Sequence, residues 1–166
     1  VLNAGDDFQG TPISNFTRGK SQIEIMNDYN IDAFVLGNHE FDYSQYSLDS
    51  ALKLANFDYL SSNVYMTSEN KLMGKPYVVK EINGVKFGII GVTLPDLFET
   101  SLPANVKDLV MLNTDSVISV GIAEMKKQNC DVIVLLSHSG LDTDKELAEK
   151  FSADVDIIVG GHSHST

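Results

Sequence analysis

Three apolar runs in this chain stop at turns that carry glycine or histidine. Ala33-Phe34-Val35-Leu36 stops at Gly37, Val132-Ile133-Val134-Leu135-Leu136-Ser137 at His138, and Asp156-Ile157-Ile158-Val159 at Gly160. Short continuous apolar runs are the mark of strands buried on both faces, and such strands belong to parallel sheets covered by helices. Between the runs lie segments of helical period, such as Leu48, Ala51, Leu52 and Ala55. Strands therefore alternate with helices, and the chain reads as an α/β domain. All four histidines, His39, His138, His162 and His164, fall in the turns. Strand ends in an α/β sheet hold side chains rigidly and bring them together, which is what a metal-binding or proton-transferring imidazole needs.

The pattern predicts helices over Lys20 to Tyr29, Tyr46 to Asn56 and Asp115 to Gln128. A fourth is predicted from a Thr143-Asp144-Lys145-Glu146 capping box to Phe151. Strands are predicted up to Gly5, over Ala33 to Leu36, Asp58 to Asn63, Asp131 to Ser137 and Asp156 to Val159. Pro76 to Asn83 and Val85 to Thr93 read as a hairpin joined through Asn83-Gly84. Pro95 to Thr114 reads as irregular. The hairpin interrupts βαβ alternation, so a purely Rossmann-like sheet is not expected.

With 166 residues, the chain fits one domain, residues 1–166, with a sizeable core. Asp and Glu number 23 against 12 Lys and Arg, and the net charge of −11 repels anionic partners at long range. No basic stripe favours a nucleic-acid duplex, and no apolar run reaches membrane-spanning length. An anionic ester remains a possible substrate where bound cations reverse the local potential. The lone cysteine, Cys130, excludes an intrachain disulfide and a thiolate metal cluster.

The donors at the turns are Asp6, Asn38, His138, His162 and His164, a mixed oxygen and nitrogen set that suits Zn²⁺, Mn²⁺ or Fe²⁺. Asp6 can bridge two cations, and a carboxylate in that role points to a pair of ions set to activate water. His162 and His164 are two apart, so in an extended turn both imidazoles face one side. Asp42, three residues after His39, is placed to orient that imidazole. Glu40 reads as a structural hydrogen-bonding residue. Other apparent motifs fail. Gly19-Lys20-Ser21 lacks the first glycine of a P-loop, which would fall at Ser14. Ser137 and Ser139 flank His138 without a Gly-x-Ser-x-Gly elbow. Asn15-Phe16-Thr17 is a formal glycosylation acceptor of a kind that arises by chance.

Four segments together resemble the successive motifs of the calcineurin-like metallophosphoesterases, in particular the 5′-nucleotidase branch. They are Gly5-Asp6-Asp7-Phe8-Gln9-Gly10-Thr11-Pro12, Gly37-Asn38-His39-Glu40-Phe41-Asp42, Ser137-His138-Ser139-Gly140 and Gly160-Gly161-His162-Ser163-His164. The resemblance implies a four-layer α/β/β/α sandwich with a di-metal site at the strand ends. It implies that Asp6 bridges the ions, that Asn38, His138 and His162 serve one, and that His164 serves the other. His39, paired with Asp42, is implied as the catalytic histidine. The implied reaction is hydrolysis of nucleoside monophosphates; the related alternatives are 2′,3′-cyclic-nucleotide phosphodiesterase or 3′-nucleotidase activity, or an inactive metal-binding fragment.

The family's first Asp-x-His motif is not found before Asp6, nor is the C-terminal domain that holds the nucleotide. On the resemblance, the chain is therefore expected to be a piece of the catalytic domain truncated at its N-terminus, with an apolar gap that a second copy can fill. A protein of this branch is expected outside the bacterial cytoplasm: extracellular, periplasmic or on the cell surface.

Overall fold

The computed structural model describes residues 1–165. In chain order, the first elements are β1 (Leu2–Asn3), α1 (Pro12–Thr17), α2 (Lys20–Asp28) and β2 (Ala33–Val35), followed by a one-turn 3₁₀ helix (His39–Phe41). Then come α3 (Gln45–Leu52), β3 (Asp58–Leu60), β4 (Val64–Met66), β5 (Lys71–Leu72), β6 (Tyr77–Ile82) and β7 (Val85–Thr93). The rest is α4 (Leu97–Thr100), a 3₁₀ turn (Pro103–Asn105), β8 (Leu109–Met111), α5 (Thr114–Lys127), β9 (Val132–His138), α6 (Leu141–Lys150) and β10 (Ile157–Gly160).

Two sheets stack face to face. One is parallel, in the order β1-β2-β3; the other runs β10-β9-β7-β6, parallel except for the β6–β7 hairpin. Strand period explains the layering. Along β9, Val134 and Leu136 point inward and pack with Ala33, Val35, Leu60 and Ile89 between the sheets. Ile133 and Leu135 point outward and pack under α5 and α6 with Ile118, Ile122, Met125, Leu147 and Phe151. Phe34 and Leu36 likewise face the opposite way from their neighbours and pack with Ile23, Met26, Leu48 and Leu52 of α2 and α3. Helices thus cover both outer faces, which makes the four-layer α/β/β/α sandwich. The hairpin turns at Asn83 (φ 52°) and Gly84 (φ 82°), the pair of positive φ values that a tight two-residue turn requires.

The structure corrects the sequence reading at four places. The third helix stops at Leu52, not Asn56. Its end tightens through Leu54 N–H to Ala51 O and Ala55 N–H to Leu52 O, and Asn27 of α2 takes over the next backbone groups, accepting from Asn56 and donating to Leu54. The segment read as irregular contains α4 and β8, and β8 joins β4 and β5 in a small antiparallel sheet. A short helix, α1, precedes α2, opened by Thr11 accepting from Ser14 N–H and by Pro12 in the first turn.

The capping box at Thr143 does not form. Helix α6 begins at Leu141 after Gly140 (φ 85°), and its exposed Leu141 N–H is met by Ser163 Oγ at 2.8 Å. A hydroxyl from the Gly160-Gly161-His162 turn therefore does the capping, and this ties α6 to that turn.

Candidate metal centre

The parallel strands β2, β9 and β10 deliver the histidine turns to one end of the sandwich. His138 is the last residue of β9, in register with Thr93 of β7, and Ser137 is in register with Gly160. Asp6 follows β1, itself paired to β2, whose continuation is Gly37-Asn38-His39. One nitrogen or oxygen from each of Asp6, His138 and His162 lies within 4.8 Å of the others. The two imidazole rings stand edge to face, with centroids 5.3 Å apart.

His138 is wholly buried. Its Nδ1 faces the Ala4 carbonyl, which can only accept, so Nδ1 carries a proton and Nε2 is left to face Asp6. Nε2 lies 3.0 Å from Asp6 Oδ2 yet has no aligned hydrogen-bond partner. A buried, unpartnered nitrogen beside a carboxylate, its ring fixed from behind by a carbonyl, is the arrangement of a metal-ligating histidine. The residues present therefore fit a divalent cation held by Asp6, His138 and His162. Asn38 Oδ1, buried and 3.1 Å from His162 Nδ1, is positioned to join them.

The backbone around these groups is strained. Asp6 (φ 67°), His162 (φ 77°) and His164 (φ 50°) all adopt a left-handed conformation, uncommon for residues with a Cβ and concentrated at functional sites. Gly37 is required by close approach: a Cβ there would overlap Asp6 Oδ1 and lie 2.7 Å from His138 Nε2.

Electrostatics follow from the contacts. Burial disfavours the charged form of both Asp6 and His138, but their mutual contact outweighs it. The Asp6 carboxyl is held below its ordinary range, with the His39 N–H also donating to Oδ1 at 3.0 Å, and the His138 imidazole is pushed up. Burial raises the Asp144 carboxyl, whose Oδ1 is buried without a partner and whose Oδ2 packs against Gly160. Asp7 is likewise raised by burial.

His39 opens the 3₁₀ turn and is half exposed, with Nδ1 2.7 Å from Asp42 Oδ2. The Asp42 carbonyl accepts from Asn105 Nδ2 at 2.7 Å, which anchors the pair to the segment before β8. His164 is exposed and lines the same cavity of about 550 Å³ as Asp6, His138, Asp144 and His162, but it lies outside the three-donor group among the described residues. A larger cavity of about 770 Å³, bordered by Arg18, Lys20 and several serines, contains none of these donors.

Sequence reasoning missed Asp144, which it took for a capping-box residue, and the reach of Glu40. Glu40 is 1% exposed, and its carboxylate accepts from four backbone N–H groups: Gly37 at 2.7 Å, Asp6 at 2.9 Å, Asp7 at 2.7 Å and Phe8 at 3.2 Å. Burial pushes its pKa up to about 7 against the pull of those donors. Its one sequence signal is a carboxylate in the turn after an apolar run, with no Lys or Arg in the same turn.

The model of the family described as calcineurin-like phosphoesterase matches residues 1–166. A probable 5′-nucleotidase of Treponema pallidum is 35% identical over 167 residues, 99% of this chain and 28% of that protein. An apyrase of Anopheles gambiae is 36% identical over 170 residues, 99% of this chain and 29% of that protein. The crystal structure of a 5′-nucleotidase precursor from Thermus thermophilus superposes with a TM-score of 0.89 at 37% identity, covering 99% of this chain and 32% of that one. The chain thus spans about a third or less of the length of these relatives.

Proposed function

The chain belongs to the calcineurin-like phosphoesterase family, and on that premise we propose that it carries the catalytic centre of a 5′-nucleotidase-like phosphomonoester hydrolase. The observation that carries the reading is the convergence of Asp6, His138 and His162, with the buried His138 Nε2 free of any aligned partner, beside the His39–Asp42 pair. Asp6, Asn38, His138 and His162 would hold one divalent cation; Asp6 and His164, with donors from elsewhere in the protein, would hold a second. Bound cations supply an activated water and neutralise charge on the phosphate oxygens.

The chain's own residues do the rest. With both ring nitrogens of His39 protonated, Asp42 accepts from Nδ1–H and balances the imidazolium charge, and Nε2–H would pass its proton to the leaving ribose oxygen, which returns the ring to the neutral form. The Ala4 carbonyl holds the His138 ring, and the His39 N–H holds one oxygen of Asp6, so both ligands are oriented before a cation arrives. Groups that bind the nucleoside are assigned to the parts of the protein outside this chain, because the relatives are about three times its length.

The test is phosphate release by the full-length protein with Mn²⁺, from AMP and from 2′,3′-cyclic AMP. Turnover of AMP with little of the cyclic ester supports the reading. The opposite preference replaces it with cyclic phosphodiester hydrolysis, and no turnover of either, with cations bound, overturns it.

A further inference from the structure

The side chain that ties the two halves of the metal site together is one that neither binds a cation nor touches substrate in the reading above. Glu40 Oε2 accepts from Asp6 N–H and Gly37 N–H, and Oε1 accepts from Asp7 N–H and Phe8 N–H. Three consecutive amides of the loop after β1 are thereby bound to the turn after β2. A buried amide with no partner is destabilising, so a carboxylate that satisfies four of them fixes the loops' relative position.

The clamp acts where the backbone turns left-handed. Asp6 has φ 67° and Gly5 before it φ 90°, and the Asp6 Oδ1 contact to His39 N–H closes the same ring of interactions from the other side. Asp6 therefore reaches His138 Nε2 only while its backbone is held in this conformation. No other side chain among the described residues contacts both loops through their amides in this way: Ser14, the nearest comparable group, accepts none of them and donates to the Asp7 and Phe8 carbonyls instead.

We infer that Glu40 is a positioning residue for the metal centre: its carboxylate holds the Asp6 backbone in the left-handed conformation that aims the Asp6 carboxylate at the cation. This rests on the metal-centre reading above. Replacing one carboxylate oxygen by an amide NH₂, as in Glu40→Gln, sets a donor against two backbone donors. Partners standing one shell behind the ligands commonly change metal affinity by about 10–100-fold when removed.

The test measures Mn²⁺ affinity by calorimetry on the full-length wild type, Glu40→Gln, Glu40→Asp and Ile118→Ala. Ile118, on the inner face of α5, is fully buried in the core cluster that α5 and α6 cover, and it controls for loss of stability alone. Hydrogen exchange at the Asp6, Asp7 and Phe8 amides is followed in parallel. The expected result is a Kd weakened about tenfold or more in Glu40→Gln. The three amides should exchange faster, and Ile118→Ala should keep the native Kd at an equal or greater loss of Tm. Glu40→Asp, which keeps the charge but shortens the reach, should fall between and serves where the glutamine variant does not fold. Native Kd in a folded Glu40 variant, or an equal loss in Ile118→Ala, overturns the inference. Absence of Mn²⁺ binding by the wild type fails the metal-centre reading instead.

Discussion

His39 Nδ1 and Asp42 Oδ2 stand 2.7 Å apart across a single 3₁₀ turn, with the imidazole half exposed and the carboxylate more sheltered. The pair is oriented like a general acid and its supporting base, beside the Asp6–His138 contact and bound to it through the His39 N–H. His39→Ala removes the proton donor but leaves that N–H in place. We expect kcat on a nucleoside monophosphate to fall by about 10²–10⁴, with Mn²⁺ affinity unchanged. Steady-state kinetics and calorimetry on the same preparation check this; near-native kcat would remove His39 from the proton-transfer role.

The Asp6–His138 pair predicts how pH acts on the metal-free protein. His138 is raised above its ordinary value of 6.5, so its contribution to stability is full below that value and is lost as pH rises through the shifted one. Asp6 is lowered below 3.8, so its contribution is present above 3.8 and is lost as pH falls through the shifted value. The pair therefore stabilises the metal-free protein most between 3.8 and 6.5. A cation needs His138 Nε2 without its proton, so metal affinity should tighten as pH rises above 6.5, with proton release on binding. Calorimetry in buffers of different ionisation enthalpy measures that release, and a pH-independent Kd with no proton exchange contradicts the assignment.

Gly37→Ala and Gly84→Ala should separate two kinds of glycine. At Gly37 the added methyl overlaps Asp6 Oδ1 and crowds His138, so metal affinity and thermal stability should fall together. At Gly84 the methyl meets nothing within 4 Å, and only the positive φ of 82° is violated. That should cost about 1–2 kcal/mol and leave the metal Kd unchanged. A Gly37→Ala variant that binds Mn²⁺ normally would show that the three-donor geometry relaxes more than its packing allows.

Asp144 is raised above its ordinary 3.8 by burial, so in the metal-free protein its effect on stability is least unfavourable below that pH and worsens as pH rises through the shifted value. Asp144→Asn keeps the shape and removes the charge. Denaturant unfolding of the metal-free variant should show a smaller loss of stability between about pH 3.5 and pH 7 than wild type, values that bracket the ordinary carboxylate range. Identical slopes against pH would mean that the Asp144 carboxylate does not carry this pH dependence.

What the sequence revealed and what it concealed follow from the length scale of each signal. β9 was legible because Val132 to Leu136 is apolar on both faces, and the hairpin because Asn83-Gly84 admits few other conformations. The small sheet of β4, β5 and β8 was not, since strands of two or three residues leave no periodicity. The α6 boundary was misplaced because its N-terminal amide is satisfied by Ser163, 22 residues away, and no local pattern records that. The histidine turns were found as turns, whereas the Glu40 clamp depends on amides from 32 to 34 positions away in the chain.

The metal centre is tested most simply by anomalous diffraction from a crystal soaked in Mn²⁺. A peak is expected bonded to an Asp6 carboxylate oxygen, to His138 Nε2 and to a His162 ring nitrogen, at about 2.0–2.3 Å from each. The peak should disappear in His138→Ala. A fully soaked crystal with no peak between these three residues, or with one that survives the loss of His138, would contradict the metal-centre reading.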